Sequence, residues 1–148
     1  MKNSSKKYHL VARLQGDQLM LTTDVRDALA ACYDRRVEQL TVSVRDRDRR
    51  AHLISLEMER KGDFLWACGA RLKAINAYVS AAAYALDGNY YDWDATQYPS
   101  FVLYHRSREL VRKIRQCAAT DRRLVEILKL DRHYKLLQPW DEWVQLYE

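Results

Sequence analysis

Four histidines, three cysteines and one close pair of aspartates are the side chains of this 148-residue chain best suited to chemistry. His9, His52, His105 and His133 stand far apart, and none has a His or Cys partner at a helical or knuckle spacing. Asp92-Trp93-Asp94 offers two carboxylates to one hard cation, but no third ligand is identifiable, so a solvated acidic loop is the expectation. Cys32, Cys68 and Cys117 each fall in an apolar helical register, which raises a thiol pKa. Odd in number and widely spaced, they read as reduced core cysteines of a cytoplasmic protein.

Nucleophile and phosphate motifs are missing as well. Ser100 and Ser107 sit in no GxSxG elbow, and neither GxGxxG nor GxxxxGK[ST] occurs. The sequence therefore offers no catalytic residue, metal ligand or cofactor site. An enzyme using His105 or the Asp92/Asp94 pair is the weakest of three functional readings, because no partner group is evident.

Charge and aromatic side chains carry the other two readings. The net charge is +5, compatible with nucleic acid without requiring it. The run Arg45-Asp46-Arg47-Asp48-Arg49-Arg50 alternates sign, and on a helix its members would pair at i, i+3 and i, i+4. That favours a wet, self-paired face over a grip on phosphates, since each carboxylate repels a polyanion. A stronger basic field lies between His105 and Lys135, where ten Lys/Arg oppose four acids. Arg108, Arg112 and Arg115 share one stripe there, and Arg122 and Arg123 follow, a candidate phosphate-contact set for nucleic acid. Tyr90, Tyr91, Trp93 and Tyr98 crowd a loop with Asp87, Asp92 and Asp94. Exposed Tyr and Trp make binding hot spots, and the interleaved acids would repel phosphates, so these four are the candidate contacts to a protein partner.

The elements that must position these groups are mainly helices. Two Pro and four Gly are too few for a turn-rich β fold. Residues 7–22 read as a β-hairpin about Gln15-Gly16-Asp17-Gln18. A helix starts near an Asp24 cap and runs to about Leu40; residues 40–50 fit helix or strand. Residues 51–61 form a second helix, ended by Lys61-Gly62-Asp63. Phe64–Leu86, apolar on most sides and rich in Ala, reads as the central helix, stopped by Gly88. Helices from about Ser100 to Ala118 and from Asp121 to Leu137 follow, with an apolar stripe of Trp140, Trp143, Val144 and Tyr147 after Pro139. No segment has the roughly 18 apolar residues of a membrane span, and the apolar stretch after the basic Met1–Lys7 is too short for a secretory signal.

The segment 51–75, AHLISLEMERKGDFLWACGARLKAI, resembles a tetratricopeptide-type helical hairpin. Gly62-Asp63-Phe64 matches that family's inter-helix turn, and Ala67 and Ala74 its small positions. Ala51 and Ser55 depart from its usual Trp and Gly, and no Pro closes the unit. The resemblance implies a helical scaffold that binds other proteins.

The expectation is a mainly α single domain, a bundle or hairpin stack of about five helices behind a short N-terminal β-hairpin. The expected function is a non-enzymatic protein-interaction or adaptor module, able to self-associate and without membrane contact. A nucleic-acid-associated accessory protein is the alternative.

Overall fold

The computed structural model describes residues 14–15, 18–90 and 98–130, without the side chains of 14–15, 86–90 and 98–104. The expected Trp140 stripe, and the last helix beyond Leu130, lie outside the described residues.

Strands β1 (Leu14–Gln15) and β2 (Gln18–Leu19) pair antiparallel, Leu14 opposite Leu19 and Gln15 opposite Gln18. The ladder is shorter than the sequence suggests. Helix α1 then spans Thr23–Ser43. Its N-cap is Thr22, whose Oγ1 accepts from Val25 N at 3.3 Å. Asp24 lies in the first turn instead of capping it, where its charge complements the helix dipole.

The stretch 40–43, with β-branched Thr41 and Val42, stays helical. Thr41 and Ser43 donate their hydroxyls to the carbonyls of Val37 and Gln39, each at 2.7 Å, a bond these side chains can make only within a helix. The helix ends at Val44, in extended backbone. Asp46 then caps α2 (Arg47–Ala67), accepting from Arg49 N at 2.9 Å. The Arg-Asp run therefore straddles a helix start, and Asp46 holds a backbone amide instead of pairing with Arg49 or Arg50 in mid-helix.

Two expected breaks are displaced. Gly62 lies inside α2, and the turn falls at Cys68-Gly69. Gly69 takes φ 79°. Its N–H donates to Trp66 O and that of Ala70 to Leu65 O, both at 2.9 Å, the paired bonds of a Schellman stop. The continuous helix expected over 64–86 is thus divided. Helix α3 (Arg71–Tyr90) begins after the turn and continues through Gly88. The tetratricopeptide-like turn at Gly62-Asp63-Phe64 is absent for the same reason.

Gly62 serves contact, not turning. A Cβ there would lie 2.5 Å from Cε1 of Tyr78, so the glycine admits the tyrosine ring against the α2 backbone.

Helix α3 is the central element. Ala74, Ile75, Tyr78, Ala81, Ala82 and Ala85 on it are all buried. Helix α2 covers one flank and α4 (Tyr98–Ala118) the other, with Leu110, Val111 and Ile114 of α4 in the same core. Two buried serines clasp α3 between them. Ser55 donates to Ala81 O at 2.8 Å, and Ser107 to Ala82 O at 3.4 Å. The alanines make this approach possible, since a larger side chain would hold the neighbouring helices away.

Helix α5 (Arg122–Leu130) follows a turn at Thr120-Asp121, with Asp121 Oδ1 accepting from Arg123 N at 2.9 Å. The described chain is therefore a mainly α bundle of five helices behind a small antiparallel hairpin. Among the described residues, no helix is long and apolar enough to cross a membrane.

Candidate binding surfaces

Three helices meet in a polar network the sequence does not announce. Ser55, Glu59 and Asp63 fall at i, i+4 and i+8 and so share one stripe of α2. Arg106 and Lys113 of α4 reach across to it. Arg106 donates from Nε to Ser55 Oγ at 2.8 Å and from Nη2 to Glu59 Oε1 at 2.9 Å. Lys113 Nζ stands 2.8 Å from Glu59 Oε2 and 2.7 Å from Asp63 Oδ1. Tyr78 of α3 completes the chain, donating its hydroxyl to Asp63 Oδ1 at 2.6 Å, with the Lys113 ammonium 4.8 Å from its ring centre.

Each group titrates as this geometry requires. Burial alone would raise the Glu59 pKa, but hydrogen bonds from Lys113 and Arg106 outweigh it and hold the carboxyl below its ordinary value. Burial would lower that of Lys113, but Asp63 and Glu59 outweigh it and push it up. Burial, then Asp63, pushes the Tyr78 phenol far up.

A pH dependence follows. A depressed carboxyl stabilises the fold above its unfolded value, near 4.5, and that contribution fades as pH falls through the folded value. A raised ammonium stabilises it below about 10.5, and that contribution fades as pH rises through the folded value. The melting temperature is therefore expected to fall on the acid side of pH 4.5, and Glu59→Gln to flatten that limb in a pH series of thermal melts. An acid limb identical in the variant would remove Glu59 as a cause.

This network thins the basic field around the candidate phosphate contacts without including any of them. Arg106 and Lys113, which swelled the basic field in the sequence, point inward to carboxylates. Arg108 is half-buried on α4, while Arg112, Arg115, Arg122 and Arg123 are exposed about the α4–α5 corner. Tyr90 and Tyr98 are the terminal residues of α3 and α4. Tyr91 and Trp93, with Asp92 and Asp94, lie outside the described residues, as do the side chains of Tyr90 and Tyr98.

The cysteines differ from one another. Burial raises the thiol pKa of Cys68 and Cys117. Cys32 is exposed, against expectation, and Arg35 donates to its Sγ at 3.0 Å. Among the described residues, no three His, Cys, Asp or Glu cluster to hold a metal ion.

A second surface is an open trough of about 330 Å³ between α1 and α3, floored by α2. Helices α1 and α3 both pack on α2 and scarcely on each other. Met58 and Leu65 form the floor, Ala30, Ala31 and Ala77 narrow the waist, and Asn76 and Ser80 line the α3 wall. One ion pair ties the α1 wall to Lys61 of α2, from Asp34 at 2.8 Å, and another joins the two walls, Asp27 to Lys73 at 3.5 Å. Helical periodicity alone does not reveal this trough, because it is made by two helices that share a neighbour and scarcely pack on each other.

In comparison with known proteins, the chain matches no family model, no curated protein and no solved structure.

Proposed function

We propose that the chain is a non-enzymatic protein-interaction module whose contact surface is the α1–α3 trough. The trough itself carries the reading. Its volume lies within the usual range of binding clefts, and it sets Met58, Leu65 and three alanines among polar groups from all three helices. The fold supports it by holding both walls on one rigid helix.

The exposed Arg112, Arg115, Arg122 and Arg123 favour a second reading, attachment to nucleic-acid phosphates at the α4–α5 corner. Asp121 at the centre of that corner weakens it, since its carboxylate already holds the amide of Arg123.

Affinity capture with the full chain separates the two. Ala31→Trp and Asn76→Trp each place an indole in the trough, from a half-buried and an exposed position. With nuclease present, at least one protein is expected on the wild type and absent from both variants, with melting temperatures unchanged. The same captured set on all three chains would overturn the trough reading. Retention that needs nucleic acid and collapses with modest salt would favour the arginine corner.

A further inference from the structure

We propose that His52 is an acid-sensitive latch on the seam between α2 and α4: its neutral imidazole sits beside the Arg106 guanidinium, and taking up a proton loosens the seam. The latch does not depend on what the trough binds.

Position comes first. His52 lies on α2 one turn before Ser55 and two turns before Glu59, on the stripe that faces α4. Arg106 enters this stripe from α4, with Nε on Ser55 Oγ at 2.8 Å and Nη2 on Glu59 Oε1 at 2.9 Å. The guanidinium is largely buried, so solvent screens its charge poorly.

Hydrogen bonding then separates the two forms of the imidazole. His52 is half-buried, and its Nδ1 is a buried atom without a hydrogen-bond partner. A neutral ring can bear this, because one of its nitrogens carries no proton. The imidazolium carries a proton on both, so Nδ1 would become a donor of a charged ring with no acceptor in place. Oxygens of the adjoining network are committed already. Ser55 Oγ donates to Ala81 O while accepting from Arg106, and the two oxygens of Glu59 hold Arg106 and Lys113.

The surrounding charges point the same way. From α4, Arg106 faces His52 with His105 beside it, and residues 98–104 bring no charge. On α3, Tyr78 and Tyr84 are the only ionisable residues between Lys73 and Asp87, and the Asp87 side chain lies outside the described residues. On α2 itself, Asp48 and Arg49 lie one turn earlier. Helix α1 packs on another face of α2, the one that bears Glu57 and Lys61. Burial first, and Arg106 second, hold the imidazole below its ordinary value of 6.5. A group lowered in this way contributes stability above pH 6.5 that is lost as pH falls through the folded value. This window lies above the acid limb of Glu59, which starts near 4.5. His52, Ser55 and Glu59 ride on one helix, so Arg106, reaching in from α4, is the group that must give way.

A titration of the full chain tests the latch. Imidazole signals are followed by NMR from pH about 8 to about 5, the range in which histidine changes charge, and His52 is assigned by its absence from His52→Gln. Its midpoint is expected below 6.5. Arg106→Gln should move that midpoint up. Glu59→Gln, which leaves the guanidinium less neutralised, should move it further down, and serves alone if Arg106→Gln does not fold. Over the same range the wild-type melting temperature should fall toward acid, and His52→Gln should flatten the fall. Amide exchange along residues 98–118 should quicken at the acid end in the wild type and not in His52→Gln. A midpoint at or above 6.5 would overturn the latch, since Asp48 or water would then be serving the imidazolium. Equal acid slopes for the wild type and His52→Gln would overturn it as well. A lowered midpoint that neither Arg106→Gln nor Glu59→Gln moves would leave burial as its whole cause and remove Arg106 from the mechanism.

Discussion

Glu59→Ala is expected to lower the unfolding free energy by on the order of 3 kcal/mol, near the low end for breaking a buried ion pair by removing one partner. Arg106 makes the loss large, because its side chain is 12% exposed and Glu59 is the carboxylate that answers its Nη2. Without Glu59 the guanidinium keeps Ser55 through Nε, which brings no negative charge. Lys113→Met should cost less. Glu59 then still holds Arg106, and Asp63 is about half exposed and can turn to water. Glu59→Gln should fall between, since one acceptor remains. Urea unfolding of the three variants checks the order. A Glu59→Ala loss within about 0.5 kcal/mol, ordinary for a surface substitution, would mean that water already serves Arg106.

Tyr78→Ala should cost about 4 kcal/mol, the range for emptying a buried aromatic site, as the ring is 2% exposed. Its contact with Gly62 gives a sharper result. In the wild-type chain, Gly62→Ala gains about 1 kcal/mol of helix propensity. It also brings a methyl to 2.5 Å from Cε1 of a buried ring, so ring or backbone must shift. Overpacking of that kind costs about 1–3 kcal/mol, so the net change should be a loss. In a Tyr78→Leu background the ring is gone and the same substitution should become neutral or stabilising. A double-mutant cycle reads the change of sign directly. Additive losses would mean that Gly62 matters for a reason other than the ring.

Much of the fold is legible in the sequence, for identifiable reasons. The helices announce themselves through apolar periodicity, and the alanines of 74–85 mark the element that neighbours approach most closely. The misplaced break comes from reading Gly62 as punctuation. Glycine serves both turns and close contacts, and only the position of Tyr78 in space decides which. Gly69 is masked in the sequence because Phe64, Cys68, Leu72 and Ile75 continue a helical spacing across it, yet Leu72 is 40% exposed.

The candidate surfaces are harder to read. Arg106 and Lys113 look like members of a basic field because charge counts ignore direction. Their spacing of seven, flanking Ser107, Leu110 and Ile114, places them on the rim of the buried seam of α4. The matching stripe Ser55, Glu59 and Asp63 on α2 is a second signal, and the two together could have exposed the network. The trough leaves no such trace. It arises from the distance between two helices far apart in the chain, and periodicity within either one is silent about that distance.

The one-sided attachment of α1 has a dynamic consequence. Helices α2, α3 and α4 brace one another through the serine clasp and the shared carboxylates, whereas α1 leans mainly on α2, with the Asp27–Lys73 ion pair as its tie to α3. Cooperative units of a protein loosen in order of the contacts that retain them. Helix α1 is therefore expected to exchange its amides ahead of the three-helix body, and a guest seated beside it would slow that exchange along residues 23–43.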